Sequence, residues 1–351
     1  MVYVGLDVHK EFCQACVIDR SGRVLSNERF SSTQEELDEF LDQFKNAKFV
    51  LESTGIWEFI YEGVENRGFE AVLAHPLKVR AIAEARVKTD KVDAETLAQL
   101  LRANLIPRSW VPSKDMRDLR QLVRQRAYLV RQSTSLKNRM HAELLRRGVR
   151  RPDGMLKPFS NKHIDWMRSL NIPTVNSCLC CLESIQAQIE GLNAQLLVEF
   201  QRRPDAQLIA TIPGIGYYSA LLIHAEIDDI SRFPNPEKLS AYSGLVPTVS
   251  QSASSVHYGG VSKEGSAYLR WVLTEAVYSH TRYNPDSRIS EFHARIARRR
   301  GKQKATSATA RKLIHIIYWM LVRKQPYQSH GSNPGTKPAP YECVKGIGAS
   351  P

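Results

Sequence analysis

The first hundred residues predict an α/β fold built on a layered, mixed sheet. Two observations carry this: three strand-like runs joined by short turns, then a regular alternation of helical and strand-like patterns. The runs VYVGLD (2–7), FCQACVID (12–19) and RVLSNERF (23–30) are strand-like, and Ser21-Gly22 marks the second turn, so together they read as an antiparallel meander. TQEELDEFLDQF (33–44) repeats its apolar residues at helical spacing, and KFVLES (48–53) is a short apolar strand. A helix near 56–67, a strand FEAVLAH (69–75) and two helices to about 104 complete the alternation.

That order is the one found in ribonuclease H-like folds. In it Asp7 ends the first strand at the centre of the sheet, and Glu52 ends the fourth, which pairs beside it in parallel. The segment KTDKVDAETLAQLL (88–101) then sets Asp90 and Asp93 three positions apart at the start of an amphipathic helix. Thr or Asp before an apolar run caps a helix, and an acid three residues later completes a capping box. Residues three apart also share one face, with Cβ atoms about 5–6 Å apart, so two carboxylates can converge on one site. With Asp7 and Glu52 brought to the same end of the sheet, metal coordination becomes the leading expectation. Buried like charges are costly unless a cation neutralises them, and hard oxygen ligands suit Mg²⁺ or Mn²⁺. Two such ions about 3.5–4 Å apart can activate a nucleophile and stabilise a leaving oxygen in phosphoryl transfer.

Composition supports a polyanionic substrate. The 351 residues carry 49 Lys and Arg against 36 Asp and Glu, a formal charge of +13 that favours nucleic acid. No run of about 18 apolar residues appears and the N-terminus leads straight into a strand, so neither a membrane span nor a signal peptide is expected, and the chain reads as cytoplasmic. Cys13 and Cys16 form a lone CxxC inside a strand-like run and read as small buried hydrophobes; disulfides are not expected.

From residue 108 the character changes. Residues 114–151 hold twelve Lys and Arg against three acids, with Leu122, Leu129 and Leu136 spaced by sevens. Leu182, Ile185, Ile189, Leu192 and Leu196 form a second seam, which suits an intramolecular helical hairpin or a dimer equally. The basic face, with Arg124 and Arg131, is expected to meet nucleic-acid backbone. From about 204 a third unit opens with IPGIG, whose Gly214 and Gly216 suit either a phosphate-binding turn before a helix or a purely structural one. A serine- and glycine-rich loop follows and runs into a helix, with Lys263 and Arg270 nearby, and Arg298, Arg299 and Arg300 form a later basic cluster. The expected division is therefore 1–107, 108–203, 204–326 and a disordered tail, 327–351.

The motifs together resemble the DEDD-type transposases of the insertion-sequence 110 family and the related pilin-gene invertases. VGLDVHK (4–10), with Lys10, resembles the first acidic motif and LESTG (51–55) the second. KTDKVDAE (88–95), with Lys88, resembles the third and fourth. IPGIG (212–216) is similar to the opening of the family's C-terminal domain, and GLVP…SQSASSV…GGVSKEGSAYLR (244–270) to its serine motif. The resemblance spans about residues 2–325. It implies a RuvC-like domain (1–107) with Asp7, Glu52, Asp90 and Asp93 as the metal-binding quartet, a coiled-coil linker, and a mainly helical transposase domain whose nucleophile matches Ser252. Ala253 stands where the family often has Gly, and Trp57 where it usually has Tyr; Ser250, Ser254 and Ser255 leave the serine register open.

The implied activity is cutting and rejoining of donor and target double-stranded DNA through a metal-assisted serine and a phosphoserine ester, which conserves the bond energy for rejoining. The resemblance further implies a non-coding guide RNA and a homo-oligomer, dimer or tetramer, in which serine and acids can come from different protomers. Two alternatives share the motifs: a site-specific DNA invertase, and a Holliday-junction-type endonuclease that hydrolyses DNA with metal alone.

Overall fold

The computed structural model describes residues 1–83, 89–153, 157–252 and 255–328, with backbone alone at 249–252 and 255–258. The chain divides into two compact units, Met1–Pro112 and a second from Ser113 on.

In the first unit, β1 (Val2–Val8), β2 (Phe12–Ile18) and β3 (Val24–Ser31) form the meander, followed by α1 (Gln34–Asp42), β4 (Ala47–Glu52), α2 (Trp57–Asn66), β5 (Glu70–Ala74), α3 (Pro76–Ile82) and α4 (Asp90–Arg102). The sheet order is β3-β2-β1-β4-β5. β1 is antiparallel to β2 and parallel to β4, which is parallel to β5. This is the ribonuclease H-like order, with β1 at the centre.

Strand alternation decides what each face of the sheet carries. Val4, Leu6, Val8, Phe49 and Leu51 point into a core with Leu37, Phe40 and Ile60 of α1 and α2. The opposite face packs on α4: Cys16 and Ile18 meet Ala94 and Ala98, and Val50 meets Leu97 and Leu101. Asp7 shares parity with Gly5, and Glu52 with Val50, so both acids fall on the α4 face. Cys13 and Cys16 are buried free thiols, each pushed up to about 11 by burial, as small hydrophobes would be.

The second unit is mainly helical: α5 (Lys114–Arg146), α6 (Asn161–Ser169), α7 (Pro173–Gln201), α8 (Pro204–Ile209), α9 (Tyr217–Ile227), α10 (Pro236–Tyr242), α11 (Ala267–Tyr283), α12 (Arg288–Arg300) and α13 (Lys302–Arg323). α5 and α7 pack on each other within one chain. The buried apolar positions of α5 are Met116, Leu119, Val123, Ala127, Met140 and Leu144, with Arg117 and Ser133 buried beside them, whereas Leu122, Leu129 and Leu136 are only half-buried. The start of α5 shares a core with α9, α11 and α13 through Met116, Leu119 and Val123.

The serine-rich segment, expected as a loop, is a two-stranded antiparallel ribbon of β6 (Pro247–Ser252) and β7 (Ser255–Val261). Backbone pairing, with Val249 opposite Tyr258 and Ser252 opposite Ser255, organises a stretch whose Ser and Gly content reads as irregular. The expected tail falls mostly on residues outside the described set; Tyr327, however, is packed, its N–H donating to Thr211 Oγ1 at 2.9 Å.

Candidate active site

Asp7 is carried to the end of the central strand, and α4 is set directly above it. The close seating of α4 depends on Gly5: a Cβ there would lie 2.1 Å from the Ala94 carbonyl oxygen and 2.6 Å from the Ala98 nitrogen. No larger residue fits without moving the helix. The first turn of α4 is further tied to the sheet by Asn27 of β3, whose Nδ2 donates to the Lys91 carbonyl at 3.2 Å. Asn27 is itself fixed by buried Gln14, whose Nε2 donates to Asn27 Oδ1 at 2.7 Å.

The cap of α4 is Thr89, whose hydroxyl accepts from Val92 N at 3.3 Å. Neither acid serves as the cap: Asp90 is the first helical residue and Asp93 the fourth. Asp90 Oδ1 lies 3.5 Å from His9 Nε2, and Asp90 Oδ2 accepts from Arg29 at 3.2 Å. His9 Nε2 also contacts Asp7 Oδ2 at 3.1 Å. Asp7, His9 and Asp90 thus offer ligand atoms all within 4.8 Å of one another, a geometry able to hold a metal ion. His9 rests on Phe12 (ring centroids 4.6 Å apart), and the Arg29 guanidinium lies 3.8 Å from the centroid of that same ring.

Burial pushes the Asp7 carboxyl above its ordinary range; contact with His9 opposes this, and the nearby negative charges of Asp90 and Asp93 add to it. A site that raises a carboxyl by burial and by like charge is one that a cation would relieve.

Of the four acids expected together, Asp7 and Asp90 stand in the tight group. Asp93 is near enough to perturb Asp7, and Glu52 sits on the neighbouring strand, one residue beyond the Leu6–Leu51 pairing. His9 is the member that the motif reading passed over. Its signal was present in Asp7-Val8-His9, two residues apart along an extended segment.

The expected nucleic-acid contacts fall into distinct settings. Lys10 lies exposed in the turn after β1, and Arg298, Arg299 and Arg300 are exposed in the last turn of α12. Arg131 is exposed and donates to the Tyr268 hydroxyl at 2.9 Å. Arg124 is committed elsewhere: its guanidinium makes a bidentate pair, at 2.8 and 3.0 Å, with Glu226, whose side chain is wholly buried. Arg270 holds the base of the β6–β7 ribbon by donating to the carbonyls of Lys263 (3.2 Å) and Ser243 (3.4 Å). At Gly214 (φ +89°) a Cβ would lie 2.6 Å from the His280 nitrogen, and His280 Nδ1 lies 2.8 Å from the Pro213 carbonyl, so this turn is fastened to α11. Gly216 is the exposed N-cap of α9. Ser252 closes β6, and Lys88 lies outside the described residues, as do Ala253 and Ser254.

Strand order and acid cluster together define a ribonuclease H-like enzyme class, and comparison with known proteins narrows it. A family profile described as a DEDD transposase of the IS110 type matches residues 4–147, and one described as transposase IS116/IS110/IS902 family matches 206–294, together about two thirds of the chain. The transposase for insertion sequence element IS1111A of Coxiella burnetii is 28% identical over 337 residues, covering 93% of this chain and 91% of that protein. The pilin gene-inverting protein of Moraxella bovis is 28% identical over 342 residues, covering 93% and 97%. Thermus RuvC, solved in complex with a Holliday junction substrate, overlaps 31% of this chain at 12% identity with a TM-score of 0.25, too slight a likeness to argue from. The chain belongs to the IS110 family of DEDD transposases, enzymes that cleave and rejoin DNA. Among the described residues no helix is long and apolar enough to cross a membrane.

Proposed function

We propose that this chain is a DNA recombinase of a mobile element, cutting and rejoining donor and target DNA with Ser252 as nucleophile and Asp7, Glu52, Asp90 and Asp93 holding Mg²⁺ or Mn²⁺, two ions when full. The observation that carries this reading is the meeting of Asp7 from β1 and Asp90 from α4 within one ligand-sized group. An Asp7 carboxyl raised chiefly by burial, with the charges of Asp90 and Asp93 adding to it, fits a hard divalent cation. When bound, such an ion supplies Lewis-acid stabilisation of phosphate oxygens and lowers the pKa of a coordinated hydroxyl.

The chain's own residues do the rest. Gly5 and Asn27 hold α4 so that its two acids face the sheet, and Arg29 orients Asp90 by hydrogen bond. Ser252 Oγ attacks a DNA phosphorus as the bridging P–O bond breaks, and the proton released by the serine ends, by way of solvent, on the leaving DNA oxygen, giving a phosphoserine ester and a free DNA hydroxyl. A second DNA hydroxyl then reverses that exchange on a new strand. Ser250, Ser254 and Ser255 are the neighbours that a shifted register would substitute.

Sequence choice is assigned to a non-coding RNA pairing with both DNAs, which suits a chain of charge +13. The working unit is a homo-oligomer, with residues 108–203 as a coiled-coil linker. Specific duplex binding should then require RNA, and tight sequence-specific binding by RNA-free protein would remove the guide from this reading. Inversion of a DNA segment is the second reading, favoured by the pilin gene-inverting relative at the same 28% identity.

Denaturing capture of protein on labelled substrate DNA, followed by peptide mapping, tests the chemistry. The expected result is a DNA adduct on the peptide containing Ser252 in the wild type and none in Ser252→Ala. Cleavage with no adduct in the wild type would assign the nucleophile to water and the enzyme to junction hydrolysis.

A further inference from the structure

The second unit contains a strongly basic concavity. Its volume is about 390 Å³, and it lies between the first turn of α12, the last three turns of α13 and the segment that follows. Along α13, Lys312, Ile316, Trp319 and Arg323 recur at intervals of four, three and four and so share one face. Arg288 and Ile289 face them from α12. None of the described residues lining the cavity is acidic, so three guanidinium or ammonium groups surround it with no carboxylate in its wall.

The aromatic component is placed for stacking. Trp319 is 44% exposed, as Trp110 and Trp271 are to a similar degree, but it stands in the wall of a basic concavity. One face of the indole is already covered by a cation, Arg323, 4.9 Å from the ring centroid, which leaves the other face for a base. Lys312 lies 4.5 Å from the centroid of Phe292, which props it at the rim. The floor is apolar, with Ile289 and Met320 buried.

The far wall is fixed as well. Lys324 takes a left-handed conformation (φ +54°) that ends α13 and turns the chain back. Gln325 N–H donates to the Met320 carbonyl at 3.2 Å, and Tyr327 is held by Thr211 and packs edge-on to His280.

A flat exposed indole, an apolar floor and three cations at the rim describe one kind of ligand: a planar base with phosphates on either side. Paired bases in a duplex cannot offer a free face to such a wall, whereas single strands can. We infer that Trp319, with Arg288, Lys312 and Arg323, forms a binding site for an unpaired nucleotide of a single-stranded nucleic acid. The inference rests on the reading of this chain as a nucleic-acid enzyme. It adds a site that none of the acidic, serine or IPGIG motifs marks. DNA and RNA share the recognised chemistry, and the probes below separate them.

The test uses the full chain and fluorescence anisotropy with labelled oligothymidylate, oligouridylate and a blunt duplex. Trp319→Ala should weaken single-strand binding about tenfold, Trp319→Phe no more than about threefold, and duplex binding should change less than about twofold. Arg288→Gln and Lys312→Gln should each reduce the slope of log affinity against log salt by about 0.7 on single strands. A preference for oligouridylate that Trp319→Ala abolishes assigns the site to RNA, and equal losses on both single strands assign it to either. Photocrosslinking of 5-iodouracil-containing strands should label the tryptic peptide 313–323. Unchanged single-strand affinity in Trp319→Ala, with an unaltered melting temperature, would overturn the site while leaving the recombinase reading intact. Absence of binding to every nucleic acid by the wild type would overturn both.

Discussion

His9 Nε2 lies 3.1 Å from Asp7 Oδ2, and the same nitrogen approaches Asp90 Oδ1 at 3.5 Å. One imidazole thus joins a carboxylate from the sheet to a carboxylate from the covering helix. Its position lets it either ligate a cation directly or orient the two acids that do. Removal of such an orienting partner commonly costs about 10–100-fold in metal affinity or activity. His9→Ala should therefore lower the recombination rate and Mn²⁺ affinity by a factor in that range, with little change in melting temperature because the ring is partly exposed. Stopped recombination assays and a metal titration on the same preparation check this. Wild-type values for both would make His9 a bystander.

The raised Asp7 carboxyl sets a pH dependence for the metal-free protein. The folded state binds that proton more tightly than the unfolded one. The favourable contribution is therefore present below the ordinary carboxylate pKa and is lost as pH rises through the raised value. Asp7→Asn has no such loss. In chelator, the variant's melting temperature minus that of the wild type should move upward from acid to neutral pH, and added Mg²⁺ should stabilise the wild type only. A difference that does not change with pH would contradict this.

Gly5→Ala should disable the enzyme through packing alone. Its Cβ would meet backbone, not a flexible side chain, so α4 must shift. Overpacking of this kind costs about 1–3 kcal/mol. For the first unit this is a melting-temperature fall of roughly 5–15 °C. Recombination should fall as well, because Asp90 and Asp93 move with the helix. Full activity in a folded Gly5→Ala protein would show that the close seating of α4 is unnecessary.

Arg124→Gln should act on stability and not on DNA affinity. The substitution strands a buried Glu226 carboxylate, left with Ser266 as its remaining side-chain hydrogen-bond partner. The expected cost is about 3 kcal/mol, read from chemical denaturation. Nucleic-acid affinity of the folded variant should stay within about threefold of wild type. A large affinity loss at unchanged stability would return Arg124 to the binding surface.

Much of the first unit was legible in the sequence because its signals are local. Period-two alternation and the Ser21-Gly22 turn mark the meander, and the same parity places Asp7 and Glu52 on the α4 face. His9 was not legible in that way, since it lies beyond the strand end, where no periodicity constrains it. The β6–β7 ribbon was missed because its Ser and Gly content resembles a loop, whereas its order comes from pairing with a second strand. Arg124 looked like one cation on a basic helix; its partner lies 102 residues away, and only the tertiary fold brings them together. The basic concavity at Trp319 joins two helices and the segment after them, so no single stretch of sequence contains it.

Asp90→Asn tests the metal site most directly, because Thr89 performs the capping and the amide keeps the shape of the acid. The measurement is Mn²⁺ binding by electron paramagnetic resonance alongside recombination, on wild type and Asp90→Asn of equal melting temperature. The expected result is Mn²⁺ bound by the wild type, affinity at least about tenfold weaker in the variant, and recombination abolished. Equal Mn²⁺ affinity together with wild-type recombination in Asp90→Asn would contradict the assignment of these acids to a catalytic metal centre.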